Sequence, residues 1–282
     1  MYPDGLAAVK LGKILGVPVV ISARGTDVNS FTQMKAIRPL VLEAANGASA
    51  VISVSRGIAD RLCQLGVPAS RIHVIRNGVD AKSFHPRDRS AARDRLGIPA
   101  DTRMLLCVSS LVEAKGHLVL LEALSMLRAS GRRDPRLVLY IVGEGALRKK
   151  MERTVRKLGL EGAVHLCGRQ AEELMPWWYS AADLAVHPSF SEGCPNAVLE
   201  ALSCGTPVVA SGVGEIPRLV QEDRAGFLVA PGDPRELADA LGRALKATWD
   251  RSLIQESVKA LTWDAVAREL EDVYRTVSRS PG

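Results

Sequence analysis

Two carboxylates, Glu192 and Glu200, enclose a stretch of seven residues in which Pro195 marks the start of a helix. Proline is favoured at the first helical position, where its missing N–H is not needed, so the amides of Asn196 and Ala197 should point outward. Such a helix end attracts phosphate. Glu200 in the second turn would lie beside the bound group, and Glu192 would reach it from the preceding loop. This spacing suits a ligand with both phosphates and hydroxyls, such as a nucleotide sugar.

The composition is that of a globular protein. The 282 residues are 47% hydrophobic and 24% charged, which allows one large or two modest domains. Five scattered cysteines form no C-x-x-C pair, a pattern that favours a reducing compartment. No signal-like start and no apolar run of the ~20 residues that span a bilayer occurs. We therefore expect a cytoplasmic protein that is neither secreted nor integral to a membrane.

The net charge of +6 makes an anionic partner plausible, whether nucleic acid, membrane surface or phosphorylated substrate. The densest basic run, residues 148–157, has helical spacing with apolar residues on its opposite side. A solvated helix face is the favoured interpretation, and peripheral contact with the inner face of the membrane is the alternative. Aromatic residues make up only 4% of the chain and none lies in that run, so no nucleic-acid partner is expected.

Short β-branched runs alternate with amphipathic stretches along the chain, which predicts an α/β fold with a parallel sheet covered on both faces. The first part shows three strands, separated by helices such as Gln33–Ala45. A polar, proline-containing segment from Phe84 to Arg103 follows, without a predicted helix. A second series of βα units then opens at Met104, so the polar segment is a predicted domain boundary.

The Glu192 to Glu200 stretch runs into Leu199-Glu-Ala-Leu-Ser-Cys-Gly-Thr-Pro-Val-Val209. Here the chain resembles the retaining GT-B-fold glycosyltransferases of family four (glycosyl transferases group 1), most closely from Leu174 to Val229. The resemblance implies two Rossmann-like doubly wound domains. Residues 1–84 would be a partial acceptor-side domain, 85–262 the nucleotide-sugar-binding domain, and 263–282 a helix packing back toward the first domain.

Three strands are fewer than a doubly wound domain normally has, and no Gly-rich loop of the family's first domain is found. We therefore expect the first domain to lack on the order of a hundred residues, judged against usual domain sizes. Two functions stay open. The chain is part of a transferring enzyme, or it is a non-catalytic remnant that binds nucleotide. Sugar transfer by the chain as given is not expected.

The resemblance also implies residue roles. Glu192 would lie against the transferred sugar, Glu200 would bind the ribose hydroxyls, and Lys115 would neutralise the departing diphosphate. Backbone groups that meet sugar and diphosphate would come from Gly193, Cys194, Pro195, Asn196 and Ala197. Many family members have Gly-Arg where this chain has Ser109 and Ser110, so one arginine beside the diphosphate is absent.

Weaker signals lie in two loops. Gly143 and Gly145 follow a predicted strand, where backbone could approach a nucleotide, although turn formation explains them equally well. Arg169 and Gln170 follow the next strand and resemble the loop that meets the base.

On the acceptor side, Arg24 stands where the family often has His. A guanidinium is not a base near neutral pH, so Arg24 would bind an anionic acceptor or phosphate. Asp27 could instead serve as a helix N-cap. His187, at a strand end, is interpreted as a packed histidine rather than a ligand.

The resemblance thus implies transfer of a hexose from a UDP- or GDP-sugar to a glycan, lipid or small-molecule acceptor with retention at the anomeric carbon. No cluster has metal-ligand spacing, so neither a metal nor another cofactor is expected. An NAD-dependent oxidoreductase is disfavoured because no G-x-G-x-x-G follows a first strand.

Overall fold

The structure is a computed structural model that describes residues 1–129 and 134–279. The chain folds into two compact units. The first unit comprises Met1–Gly78, Glu192–Pro195 and Leu261–Gly282, and the second comprises Val79–Ser191 and Asn196–Ala260. The domain limits predicted from the sequence, after residues 84 and 262, stay predictions. Residues 280–282 of the predicted last segment lie outside the described residues.

The first unit holds a three-stranded parallel sheet in the order β1-β2-β3, with Val20 paired to Ala50 and Val51 paired to Ile72. Its elements up to residue 78 are α1 (Asp4–Leu15), β1 (Val20–Ala23), α2 (Thr26–Asn29), α3 (Arg38–Gly47), β2 (Ala50–Ser53), α4 (Arg56–Gln64) and β3 (Ile72–Val74).

The second unit holds a six-stranded parallel sheet in the order β6-β5-β4-β7-β8-β9. Its elements are α5 (Arg89–Leu96), β4 (Arg103–Val108), α6 (His117–Ala129), β5 (Leu137–Val142), α7 (Arg148–Lys157), β6 (Val164–Gly168), α8 (Met175–Ala181), β7 (Leu184–His187), α9 (Asn196–Ser203), β8 (Val208–Ser211), α10 (Ile216–Leu219), β9 (Gly226–Val229), α11 (Pro234–Ala244) and α12 (Arg251–Glu256).

The core of the second unit is apolar across the sheet and the helices that cover it. Leu105 of β4, Leu139 of β5, Leu121 of α6 and Leu241 of α11 share one cluster and are fully buried. All four residues of β7 and all four of β8 are buried, as expected for strands covered on both faces. The predicted α/β class is confirmed.

Among the helices that the sequence did not predict, α5 and α8 are the most informative. The expected polar connection contains α5, which begins at the N-cap Asp88, whose carboxylate accepts from the Ala91 amide, and ends at Gly97 with φ 66°. Its Arg-rich sequence buries only Ala92 and Arg93, so it shows little apolar periodicity. Helix α8 was missed for the opposite reason. Most of its residues are buried, so it has no polar face to set against an apolar one.

The predicted helix Gln33–Ala45 is also wrong at its start. Phe31–Gln33 is a short 3-10 turn, and α3 begins only at Arg38. Pro39 lies in the first turn of α3, a position that favours helix initiation and explains where the helix starts.

The basic run forms α7, and its apolar side is covered by the second unit itself. Met151 is fully buried in the core cluster, with Val155 and Leu158 packed against it. Arg148 on the other side pairs with Glu144 and Glu152, at 2.9 and 3.1 Å. This favours a solvated basic face. In the described part of the chain, no helix is long and apolar enough to cross a membrane.

The last helix, α13 (Trp263–Arg279), belongs to the first unit. Its buried Val273 forms a cluster with Ala50 and Ile52 of β2 and Ile75 after β3. Val266, Leu270 and Val277 pack against the same cluster. The helix therefore covers one face of the small sheet.

Replacing Val273 with Ala should destabilise the first unit by about 1–2 kcal/mol, because each buried methyl-sized group contributes ~0.8 kcal/mol. The measurement is hydrogen exchange of the β2 amides. Arg268→Ala, at an exposed position of the same helix, is the matched control and should leave exchange unchanged. Equal exchange in the two variants would contradict this packing.

Candidate functional site

Strands β4 and β7 are neighbours at the centre of the six-stranded sheet, although they are not consecutive in the chain. From this pair the strand order runs outward in both directions, to β5 and β6 on one side and to β8 and β9 on the other. In open α/β sheets, ligands bind beyond the carboxyl ends of the strands at such a switch point. A ligand site is therefore expected at the loops that follow β4 and β7.

These two loops touch backbone to backbone. Gly116 has φ 68°, and a Cβ placed on it would lie 2.0 Å from the Pro188 carbonyl oxygen. The amide of Phe190 donates to the carbonyl of Ala114 at 2.8 Å. Only glycine tolerates this approach, so backbone packing alone requires Gly116.

Lys115 ends a short 3-10 turn, Glu113–Lys115, and stands half-buried just before α6. The turn lies in the loop after β4, at the switch point. This places its ammonium group on the edge of the sheet where anions are expected, beside the positive end of a helix.

A buried histidine supports the same loop. His117 is fully buried, and its Nε2 lies 3.1 Å from the Ser110 carbonyl oxygen and 3.1 Å from Ser109 Oγ. A carbonyl only accepts, so Nε2 carries a proton, and Nδ1 faces Cys107 Sγ at 3.8 Å. Burial lowers the pKa of His117, which favours the neutral ring. Sequence analysis missed this residue.

Helix α9 begins at Asn196, one residue later than predicted, so Pro195 immediately precedes the helix. The helix follows the loop from β7 and so opens at the switch point. Asn196 is exposed and Ala197 half-buried at its first turn. The amino end of this eight-residue helix therefore faces the edge of the sheet that carries Lys115.

Glu200 lies one turn into α9, and its Oε2 accepts a hydrogen bond of 2.7 Å from the hydroxyl of Tyr179. Tyr179 is fully buried in α8. Burial raises the pKa of Glu200, and the hydrogen bond from Tyr179 opposes that rise. Burial and the adjacent carboxylate also raise the pKa of Tyr179, so the tyrosine stays a donor. Tyr179 was missed because it lies in the helix that the sequence did not reveal.

Gly143 and Gly145 hold the loop after β5 against the loop after β4. A Cβ on Gly143 would lie 2.0 Å from the Ser109 carbonyl oxygen, and one on Gly145 would lie 2.4 Å from that of Leu111. The Leu111 amide donates to the Glu144 carbonyl at 2.9 Å. Backbone packing thus accounts for both glycines, and their contact with a nucleotide stays a prediction.

Arg169 and Gln170 follow β6, the edge strand, two strands away from β4. Gln170 Nε2 donates to the Cys167 carbonyl at 2.8 Å, and Arg169 is exposed. They share the carboxyl edge of the sheet with Lys115, farther along it.

The remaining candidates belong to the first unit. Gly193 is buried, and a Cβ on it would lie 2.5 Å from the Arg24 carbonyl oxygen and 3.1 Å from Val54 Cγ2. The buried Asn77 donates from Nδ2 to the Cys194 carbonyl at 2.8 Å, and its Oδ1 accepts from Arg24 Nη2 at 3.0 Å. Segment Glu192–Pro195 therefore packs at the carboxyl ends of the small sheet's strands.

Glu192 is half-buried within this segment. Asp27 lies inside α2 rather than at its N-cap, and its Oδ1 accepts from the amides of Arg24 and Gly25, at 3.2 and 3.1 Å.

His187 is 5% exposed at the end of β7, in agreement with its interpretation as a packed residue. Among the residues described, no group of three or more His, Cys, Asp or Glu could hold a metal ion.

Two α/β units, with parallel sheets of three and six strands, define the class of this protein. Residues 102–247 match the family Glycosyl transferases group 1, and residues 1–83 match Glycosyltransferase Family 4. The chain belongs to these group 1, family 4 glycosyltransferases.

Curated relatives include D-inositol 3-phosphate glycosyltransferases. That of Nocardioides sp. is 36% identical over 73% of this chain and 48% of its own length. That of Catenulispora acidiphila is 33% identical over 82% of this chain and 57% of its own length. The chain thus spans about half the length of these relatives.

Solved structures give the same fold. Anabaena HepE, in complex with UDP and glucose, is 26% identical with a TM-score of 0.84, over 98% of this chain and 75% of HepE. Sucrose-phosphate synthase from Thermosynechococcus elongatus is 27% identical with a TM-score of 0.84, over 97% of this chain and 71% of the synthase. The fold is GT-B-like, as the sequence predicted.

Gly116→Ala should destabilise the second unit by more than Gly97→Ala. Both glycines have a left-handed backbone, at 68° and 66°, which costs an alanine about 1–2 kcal/mol, but a Cβ on Gly97 meets nothing within 4 Å. The difference, measured by hydrogen exchange of the β4 amides, isolates the contact with Pro188. Equal losses would show that the two loops do not need this approach.

Proposed function

We propose that the chain serves the transfer of a hexose from a UDP-sugar to an acceptor hydroxyl with retention at the anomeric carbon. The observation that carries the proposal is the Glu200 carboxylate, held by Tyr179 at the switch point of the second unit's sheet. The choice of nucleotide is supported by the HepE structures, one of which contains UDP-glucose. Those structures favour UDP over GDP, which the sequence left open.

Glu200 would bind the ribose. Tyr179 occupies Oε2, and among the described residues no hydrogen bond is made to Oε1. An ionised carboxylate oxygen accepts strongly from a sugar hydroxyl. Tyr179 thus orients the carboxylate, and one oxygen remains for the ligand.

The diphosphate would lie at the amino end of α9, near the backbone of Asn196 and Ala197, with Lys115 adding a positive charge from the loop after β4. A compact ammonium stabilises charge that develops on the leaving phosphate. In this scheme the protein supplies no nucleophile. The departing diphosphate takes the proton of the acceptor hydroxyl on the same face of the sugar, which keeps the anomeric configuration.

Glu192 would lie against the transferred hexose, and Gly193 to Pro195 would line the same ligand.

On the acceptor side we assign Arg24, whose exposed guanidinium donates a hydrogen bond to Asn77. A phosphorylated polyol fits such a group, and relatives are named for D-inositol 3-phosphate. The acceptor is therefore proposed to carry phosphate.

The alternative function is nucleotide binding without transfer. The observation on its side is the three-stranded sheet of the first unit, against six strands in the second. Release of UDP from UDP-glucose that depends on an added acceptor distinguishes transfer from binding alone.

Glu200→Gln should weaken UDP binding by about 1–3 kcal/mol, the cost of a charge-assisted hydrogen bond. Wild-type affinity should also fall as pH is lowered through the raised pKa of Glu200, because protonation removes the acceptor charge, and the variant should lack this dependence. Calorimetry at several pH values measures both. Glu122→Gln, an exposed change of the same charge on α6, is the control. Unchanged UDP affinity in Glu200→Gln would remove Glu200 from the site.

Arg24→Gln should weaken binding of D-inositol 3-phosphate, measured by calorimetry with UDP present, by roughly 1–2 kcal/mol, or about five- to thirty-fold. UDP affinity should not change. Arg38→Gln, exposed in the same unit, should behave as the wild type. A loss of UDP affinity instead would place Arg24 on the donor.

A further inference from the structure

The amino edge of the six-stranded sheet, opposite the proposed donor site, carries a cluster of arginines around a cavity of about 200 Å³. Arg103 opens β4, Asp183 precedes β7, Arg89 opens α5 and Arg251 opens α12. All four line the cavity, together with the apolar side chains of Leu184, Pro207 and Trp249. Every one of these residues belongs to the second unit.

Positive charge exceeds negative charge in this cluster. Asp183 is shared, because it pairs with Arg89 through Oδ1 and with Arg93 through Oδ2 at 3.0 Å. Its Oδ2 also accepts from the Met104 amide at 2.6 Å. Arg103 pairs with Asp134 at 3.3 Å. Asp134 lies outside the cavity and is itself shared with Arg136. The cavity lining has three arginines, Arg89, Arg103 and Arg251, and one carboxylate, Asp183, which leaves two positive charges in excess among the lining residues.

Donor groups also exceed acceptors. Arg251 caps α8 through the carbonyls of Ser180 and Ala182, and Arg103 Nη2 donates to the Leu245 carbonyl at 2.6 Å. Each guanidinium has five N–H donors, so both keep donors beyond these bonds. The Nε of Arg89 is buried without a hydrogen-bond partner among the described residues. A buried N–H of a charged group without an acceptor is costly, and a bound anion would satisfy it.

The electrostatics agree with this excess. Burial lowers the pKa of Arg93 and of Arg251, and the positive charge of Arg89 lowers both further. The charged guanidinium groups of Arg93 and Arg251 are therefore destabilised by burial and by repulsion from Arg89. A bound anion would reduce that repulsion.

We propose that this cavity binds a phosphate dianion, either inorganic phosphate or the phosphate end of a small monoester. Its volume lies below the roughly 300 Å³ at which pockets for larger organic ligands begin, so a nucleotide sugar is excluded. Planar guanidinium groups bind phosphate oxygens in a bidentate manner, and a dianion matches the two excess charges. The site is separate from the donor site and does not depend on the proposed transfer.

The test titrates inorganic phosphate into the protein by calorimetry, with ionic strength held constant by chloride and with UDP in excess. We expect saturable binding of one phosphate that UDP does not displace. Arg89→Gln should weaken it roughly tenfold or more, since a charge-assisted contact is lost. Arg95→Gln is the matched control on the same helix, because Arg95 lies over the Trp177 ring at 4.9 Å and does not line the cavity.

Arg103→Gln serves as a second variant if Arg89→Gln does not fold, and it should weaken phosphate in the same way. Repeating the titration with glycerol 1-phosphate distinguishes inorganic phosphate from a phosphate monoester, since the ligand that binds more tightly represents the natural class. Absence of saturable binding at matched ionic strength, displacement by UDP, or equal affinity in Arg89→Gln and Arg95→Gln would overturn the proposal.

Discussion

The structure of the second unit depends on one close approach, that of the loop after β4 to the loop after β7. Gly116 meets the Pro188 carbonyl where no Cβ fits, and the Phe190 amide donates to Ala114 at 2.8 Å. Parallel strands alone would leave these loops independent of each other. The contact fixes the end of the Lys115 turn against the loop that leads to α9, and so relates the two proposed diphosphate contacts to each other.

The stretch from Glu192 to Glu200 is divided between the two units. Glu192–Pro195 belongs to the first unit, where Asn77 and the Arg24 backbone hold it, and Asn196 onward belongs to the second. Gly193 is needed because its Cβ would lie 2.5 Å from the Arg24 carbonyl. One short segment of sequence therefore carries residues whose positions are set by two separate sets of packing interactions.

Local patterns predicted the features that local physics controls. The α/β alternation indicated the class, and Pro195 placed the start of α9 to within one residue. Helix α8 could not be found this way, since a buried helix shows no amphipathic period. Tyr179 precedes Glu200 by 21 residues, and Asn77 precedes Cys194 by 117, so neither partnership has a local signal. The caps of α5, Asp88 and Gly97, were visible in the sequence and should have revealed that helix.

The central claim is that the switch point of the six-stranded sheet holds a nucleoside diphosphate, with its ribose on Glu200. A crystal structure of this chain with UDP tests that claim most directly. The account predicts ribose hydroxyls within hydrogen-bond distance of Glu200 Oε1, Tyr179 still bonded to Oε2, and the diphosphate at the amino end of α9 beside Lys115. UDP bound elsewhere on the second unit, with Glu200 in contact only with Tyr179, would contradict it.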